Sequence, residues 1–380
     1  MPDLRITAGF LPLLDSLLLV IARERGLAAA QGIDLTLVRE TSWANIRDRV
    51  AVGHFEVAQM LGPMPIAANL GLSPIDVAIV APMALGLGGN AITVSNRLWE
   101  RMLKAGAPGS IEPAPAGAAL ARVVAAGDGR LCFAVTHPFS GHNYELRYWL
   151  AASGIRPDAD VDIVILPPQL MADALAAGTV DGYCAGEPWN SAGVLAGAGR
   201  IVTVKARLWP DSPDKVLGVE QRWAEAHPEA LAALLRALYA ASLWCGDPAN
   251  HAEAAAILGG PAYLDKPSDL LLRGLSGRLE LARGETVRVA DFFVPNAHSA
   301  TFPWVTHALW YYAQMVRWGD VVHTPAHQAQ AARSYRPDLY RAAIAPFGAS
   351  LPTSDEKQPG QMRFFDGASF DPTRITTPSA

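Results

Sequence analysis

A chain of 380 residues, 51% hydrophobic and 18% charged, holds enough apolar material for two domains. Its formal net charge of -5, with no Lys/Arg run or basic stripe, argues against direct nucleic-acid binding. Asp15, Arg23, Glu24 and Arg25 interrupt the longest apolar stretch, so no segment has the length of a membrane span.

In chain order, LRITAGF reads as a strand and residues 17–22 as a buried helix that ends at Gly26. That helix, followed by Ala28-Ala29-Ala30, imitates an export signal. No basic segment precedes it, however, and Arg23-Glu24-Arg25 falls where a cleavage region is neutral. The expectation is a chain that begins at its first strand and works in the cytoplasm. Residues 33–38 read as the next strand. Ser42 then caps a helix that carries Trp43, Ile46 and Val50 at helical spacing and stops at Gly53. A strand at 55–61, a helix opened by Pro63 and a strand at 77–81 follow. Residues 105–118, rich in Ala, Gly and Pro, read as a loop, and 228–245 as a long helix with Pro in its first turn. From about Pro346 the chain turns rich in Pro, Gly, Ser and Thr, and is expected to pack as an extended arm through Phe364, Phe365 and Phe370. Short apolar runs alternating with helical patterns predict an α/β fold with largely parallel sheets.

A weak internal repeat adds to this. RVAVGHFEVAQMLGPMPIAANLG resembles ALAAGTVDGYCAGEPWNSAGVLAG when Gly53 is laid on Gly178, which also puts Glu56 on Asp181 and Pro63 on Pro188. Either αβα units simply look alike, or two lobes of similar build face each other. In the second case a ligand lies between strand ends and helix N-termini of both lobes. The expected division is 1–95 for the first part of lobe one, 96–205 for lobe two, 206–345 for the return to lobe one with C-terminal helices, and 346–380 for the packing tail.

Enzymatic signatures (GxSxG, GxxxxGK[ST], HExxH, CxxC) are missing from the sequence. Cys132, Cys184 and Cys245 are odd in number, far apart and set in apolar contexts, which predicts buried small side chains rather than a zinc site or disulfide framework. No cofactor is expected.

At ETSWANIRDRVAVG, GNAITVSN, GHNYELRYWLAASGI, AGEPWN and FPWVTHALWYYAQMVRWG the sequence resembles the nitrate-binding branch of the CmpA/NrtA/NasS-like family. The family comprises substrate-binding proteins of nitrate and bicarbonate ABC transporters and a soluble cytoplasmic branch that senses nitrate and nitrite. The resemblance runs from Leu4 to the FFDGASFDP tail. It implies a two-lobed, type II periplasmic-binding fold with ligand in the interlobe cleft. It also implies an anion site made by Trp43 with the first-turn amides of its helix (Ala44, Asn45), Asn90, His142 and Lys215. Asn90 stands where transporter members carry a glutamine, and His137 competes with His142. Lys215 stands where nitrate binders carry lysine and bicarbonate binders an acid.

For function, the resemblance implies a cytoplasmic nitrate/nitrite sensor that holds an ANTAR-type RNA-binding antitermination regulator and releases it when the anion appears. The alternative is the substrate-binding component of a nitrate ABC transporter. A thiamin-pyrimidine-synthesis enzyme of the same superfamily ranks below both, because its clustered cysteine motif has no counterpart in the scattered Cys132, Cys184 and Cys245.

The chemistry of the residues agrees. Nitrate only accepts hydrogen bonds, so a buried site must present donors and offset the lost hydration. The start of a helix at Ser42-Trp43-Ala44-Asn45, the Asn90 amide, a His142 ring N–H and the Lys215 ammonium are such donors. Bicarbonate brings a proton and needs an acceptor; Lys215 offers none, so nitrate or nitrite is the expected ligand. Taken singly, each residue has a plainer role: Trp43 in a core, Asn90 in a turn, the histidines as structural groups, Lys215 in solvent, and Glu187-Pro188-Trp189 as a helix start near the hinge.

Overall fold

The computed structural model describes residues 4–358 and 360–376. Ten strands build two five-stranded sheets: β1 (Leu4–Phe10), β2 (Ile33–Arg39), β3 (Val57–Leu61), β4 (Ile79–Ala84), β5 (Asn90–Ser95), β6 (Leu131–Val135), β7 (Val161–Ile165), β8 (Gly182–Gly186), β9 (Gly199–Val204) and β10 (Lys215–Glu220). The first sheet has the order β2-β1-β3-β10-β4 and the second the order β7-β6-β8-β5-β9. In the first, β1 runs parallel to β2 and β3, while β10 is antiparallel to β3 and β4. In the second, β6 runs parallel to β7 and β8, while β5 is antiparallel to β8 and β9. The two lobes therefore share one topology, strand for strand.

The weak repeat is this equivalence. Laying Gly53 on Gly178 superposes the approach to β3 on the approach to β8, and both glycines adopt positive φ, +74° and +72°. Each of the paired acids, just before its strand, accepts from a backbone amide of the neighbouring parallel strand. Thr7 N donates to Glu56 Oε2 at 2.7 Å, and Cys132 N donates to Asp181 Oδ2 at 2.9 Å. Pro63 opens the Pro63–Asn69 helix, and Pro188 precedes the Trp189–Leu195 helix. A carboxylate that bridges two strands is a local device, and so it survives as a readable motif in both copies.

In each sheet the antiparallel strand is the one that brings the chain across from the other lobe. The crossings are residues 85–89 and 205–214, flanking β5 and β10. The first comes earlier than expected: β5, placed in lobe one by the sequence division at residue 95, pairs within the second sheet. Gly88 shows why the crossing is tight. Its φ is +76°, and a Cβ there would stand 2.2 Å from Phe292 O, so a side chain would meet both backbone strain and a carbonyl. A second difference is the expected loop at 105–118, which gives way to a helix at Pro113–Ala125. Its Pro sits at the first turn, where a missing N–H costs nothing, and Ala116, Ala119 and Leu120 bury one face.

The Pro228–Gly246 helix covers lobe one and packs against the fully buried run 17–22 of the Leu17–Glu24 helix. The tail straps both lobes. Phe364 stacks on Trp310 with ring centroids 5.8 Å apart, Phe365 N donates to Leu208 O in the second crossing, and Tyr148 OH donates to Asp366. Phe370 packs at the edge of the same aromatic cluster. Among the described residues no helix is long and apolar enough to cross a membrane.

Candidate functional site

Trp43, Asn90, His142 and Lys215 come from four different elements, two in each lobe's sheet or helices, and meet at the crossings. Trp43 opens the Trp43–Ala51 helix, whose Ser42 cap accepts from Asn45 N at 3.2 Å. Asn90 is the first residue of β5, directly after the glycine turn, and Lys215 is the first residue of β10. His142 lies in the first turn of the Gly141–Ala152 helix, capped by Ser140. Each is at most 1% exposed, so no ligand reaches them unless the lobes part. Cross-cleft bonds hold the lobes together: Gln169 Nε2 donates to Thr41 O at 2.8 Å, Trp189 Nε1 to Pro12 O at 3.2 Å, and Leu14 N to Glu187 O at 2.8 Å.

Three of the four carry a buried polar atom with no partner: Trp43 Nε1, both polar atoms of the Asn90 amide, and His142 Nε2. Buried polar groups are ordinarily paired, so orphans on three residues around the Lys215, Asp214 and Asp15 cluster make this a candidate ligand site. His142 Nε2 lies 3.8 Å from Asp214 Oδ2, and a Cβ on Gly186 would stand 3.3 Å from Asn90 Oδ1 and 3.5 Å from Asp15 Oδ2. Lys215 Nζ lies 5.5 Å from the centre of the Trp43 ring. His142 Nδ1 is 3.2 Å from Thr136 Oγ1; with that hydroxyl donating, the ring proton sits on Nε2 and is available to an acceptor. Burial, helped by Lys215 and Lys205, pushes the imidazole down to about 3 against the pull of Asp214, so His142 acts as a neutral donor. His137 Nδ1 accepts from Phe139 N at 3.1 Å, whereas His142 Nε2 has no hydrogen-bond partner. The Trp43 and Ala44 amides are first-turn groups, which have no acceptor within their own helix. The Asn45 amide is spent on Ser42, and its side chain donates outward to Glu40 at 3.0 Å. Asn45 is therefore exposed and drops out of the donor set.

Lys215 is not the free compensating cation expected of it. Its ammonium stands 3.0 Å from Asp15 Oδ2 and is bonded to Asp214. A second buried ammonium, Lys205, lies 2.6 Å from Glu145 Oε1 and 3.6 Å from Asp214 Oδ1, and donates to Pro213 O at 2.6 Å. Gln59 donates to Asp15 while accepting from Leu11 N at 2.8 Å. The expectation that the pocket holds no proton acceptor is thereby overturned, since three buried carboxylates ring it. They were missed because they lie outside the positions the resemblance marks. Signals existed: Asp15 is a lone charge in LPLLDSLLLV, and Asp214 adjoins Lys215.

Their electrostatics differ. Burial opposes ionisation of Asp214, yet the Lys215 and Lys205 ammonium groups together hold its carboxyl well below the usual range. Burial raises Asp15 despite Lys215. Burial raises Glu145 to about 7, Lys205 pulling down and Asp214 pushing up. Lys215 is raised, its two carboxylates outweighing burial. Glu187 is also raised to about 7 by burial, but its Oε2 accepts from Ser191 N at 3.2 Å, a helix-start role at the hinge. Two backbone positions make room: a Cβ on Gly141 would stand 3.0 Å from Asp214 Oδ1, and one on Gly186 3.3 Å from Asn90 Oδ1. Among the described residues no group of three or more His, Cys, Asp or Glu could hold a metal ion. Cys184 and Cys245 are buried and Cys132 half-buried, all as free thiols.

Two equivalent lobes, two crossings and a sealed polar site between them define a periplasmic-binding-type ligand-binding protein. The crystal structure of the periplasmic nitrate-binding protein NrtA from Synechocystis has the same fold, with a TM-score of 0.90 over 98% of this chain and 97% of that one at 27% identity. Residues 1–259 match the model of the NMT1-like family, and the chain belongs to that family. It is 33% identical to the nitrate/nitrite binding protein NrtA of Synechococcus elongatus, covering 97% of this chain and 83% of that protein. It is 34% identical to the bicarbonate transport ATP-binding protein CmpC of Synechocystis, where 96% of this chain matches and spans only 52% of the relative.

Proposed function

We propose that this protein captures one nitrate or nitrite ion between its lobes and serves as the substrate-binding component of an ABC-type importer. The observation that carries the reading is the convergence of unpaired donors (Trp43 Nε1, Asn90 Nδ2, His142 Nε2) beside the Lys215 ammonium in a sealed cleft. A planar oxyanion that only accepts hydrogen bonds would satisfy all of them at once. The two NrtA proteins, named for nitrate or nitrite binding and alike along almost the whole chain, support the ligand, and the relative named for bicarbonate transport supports a transport role. The same relative makes bicarbonate the necessary control.

The finer reading, a cytoplasmic sensor that holds an ANTAR-type antitermination regulator, uses the same closure, because a partner that prefers the open form is released by whatever closes it. It draws on the resemblance, whereas the importer reading has the named relatives behind it. Calorimetric titration with nitrate, nitrite and bicarbonate tests the ligand; bicarbonate binding as tightly as nitrate sinks it. Co-purification separates the roles: an anion-dependent complex with a transporter supports the first, and an anion-sensitive complex with an RNA-binding regulator replaces it with the second.

A further inference from the structure

We propose that the anion enters this site together with one proton, and that Glu145 is the group that takes it. The inference rests on the nitrate/nitrite reading and concerns what else must change when the ion arrives.

The argument begins with charge. Two ammonium groups, Lys205 and Lys215, share a buried cluster with three carboxylates, Asp15, Asp214 and Glu145, and His142 is neutral. With every carboxyl ionised, the cluster carries one net negative charge in a place sealed from water. A monoanion would then meet like charge with little screening. With one carboxyl protonated the cluster is neutral, so a proton must accompany the ion or already be in place.

Geometry selects the carboxyl. Asp214 Oδ2 is bonded to Lys215 and Oδ1, itself without a hydrogen bond, lies 3.6 Å from Lys205, so protonation of this carboxyl would weaken its attraction to two ammonium groups rather than one. Asp15 is held by Lys215 and by the Gln59 amide. Glu145 has Lys205 alone, beside Oε1, and its Oε2 has no partner. The groups facing it are Lys205 and Asp214 from the second crossing, Asn90 from β5, Cys184 from β8, Tyr311 from the Val305–Arg317 helix, and His142 from its own helix. Tyr311 OH is committed to Pro213 O at 2.7 Å, and the Cys184 thiol is pushed up and stays neutral. The Asn90 amide, beside the Glu145 carboxylate but without a well-formed bond to it, joins this carboxyl to the ligand site. Protonation of Glu145 removes the negative charge that competes with the anion for that amide.

Burial already brings this carboxyl up to about 7, so the direction of linkage is fixed. Below pH 7 the proton is in place and the anion binds without uptake. Above it, binding must draw a proton from solvent, and affinity falls with rising pH. For one proton the limit is about tenfold per pH unit.

The test is calorimetric titration of the full chain with nitrate at several values between pH 6 and 9, each in two buffers of different ionisation enthalpy. The expected result is uptake approaching one proton at the alkaline end, with affinity falling toward the tenfold slope. Glu145→Gln, a neutral isostere, should remove both the uptake and the slope. Nitrate binding with buffer-independent heats and constant affinity overturns the proposal, as does a slope that survives in Glu145→Gln. The wild-type proton count keeps the test decisive if the variant misfolds. Failure to bind nitrate or nitrite even at pH 6 would instead overturn the ligand reading.

Discussion

Replacing Lys215 by Met keeps most of the volume and the aliphatic stem while deleting a buried ammonium. Two carboxylates are affected unequally. Asp214 retains Lys205 at 3.6 Å, whereas Asp15 loses the ammonium at 3.0 Å and keeps only the Gln59 amide. Removing one partner of a buried pair typically costs about 3–5 kcal/mol, a large share of a total stability of roughly 5–15 kcal/mol. Urea denaturation at pH 7.5 should show a loss of that size. Adding Asp15→Asn to Lys215→Met removes the stranded charge, and should recover about 2 kcal/mol through a coupling of the sign expected for contacting residues. The pH dependence follows from the same picture. Burial already holds Asp15 above its usual range, and without the lysine it rises further. A raised carboxyl leaves stability intact below its unfolded pKa and erodes it as pH climbs through the folded value. The gap between Lys215→Met and the wild type must therefore shrink on acidification. Additive effects of the two substitutions, or a gap that widens in acid, would refute the buried-pair account.

Asn90→Ala should weaken nitrate binding by about 1–3 kcal/mol, the usual penalty for stranding buried groups, as read by calorimetry; undiminished affinity would remove Asn90 from the site. Gln169→Ala deletes the bond to Thr41 O across the cleft. It should favour the open form by about 0.5–1.5 kcal/mol, visible as a larger radius of gyration in small-angle scattering at subsaturating anion. Gly88→Ala meets Phe292 O at φ +76° and should lower the melting temperature, with a cost of at least about 1–3 kcal/mol. A neutral outcome there would mean that the crossing relaxes freely.

Much of the α/β layout was legible because it is written locally. Strands β1, β2 and β3, the Ser42-capped helix and the Pro228–Gly246 helix follow from apolar spacing, capping chemistry and glycine stops. The repeat of Gly53, Glu56 and Pro63 at Gly178, Asp181 and Pro188 survived because each residue performs the same short-range task in both lobes. Residues 105–118 were misread because composition alone hides a proline-opened helix whose apolar face appears only once it packs. The four side chains proposed for the anion site could be named from the sequence because the resemblance marks them, and helix-start chemistry at Ser42 and Trp43 points to one of them. Their partners could not. Whether Lys215 is a free cation or half of a pair depends on Asp15, two hundred residues earlier, and on Lys205 and Glu145 arriving from a crossing and from a helix of the second lobe. Sequence determines which charges the chain owns. Only the tertiary structure decides which of them share one dry space, because Coulomb energy depends on separation and on the water excluded between the charges, and neither is a property of the order of residues.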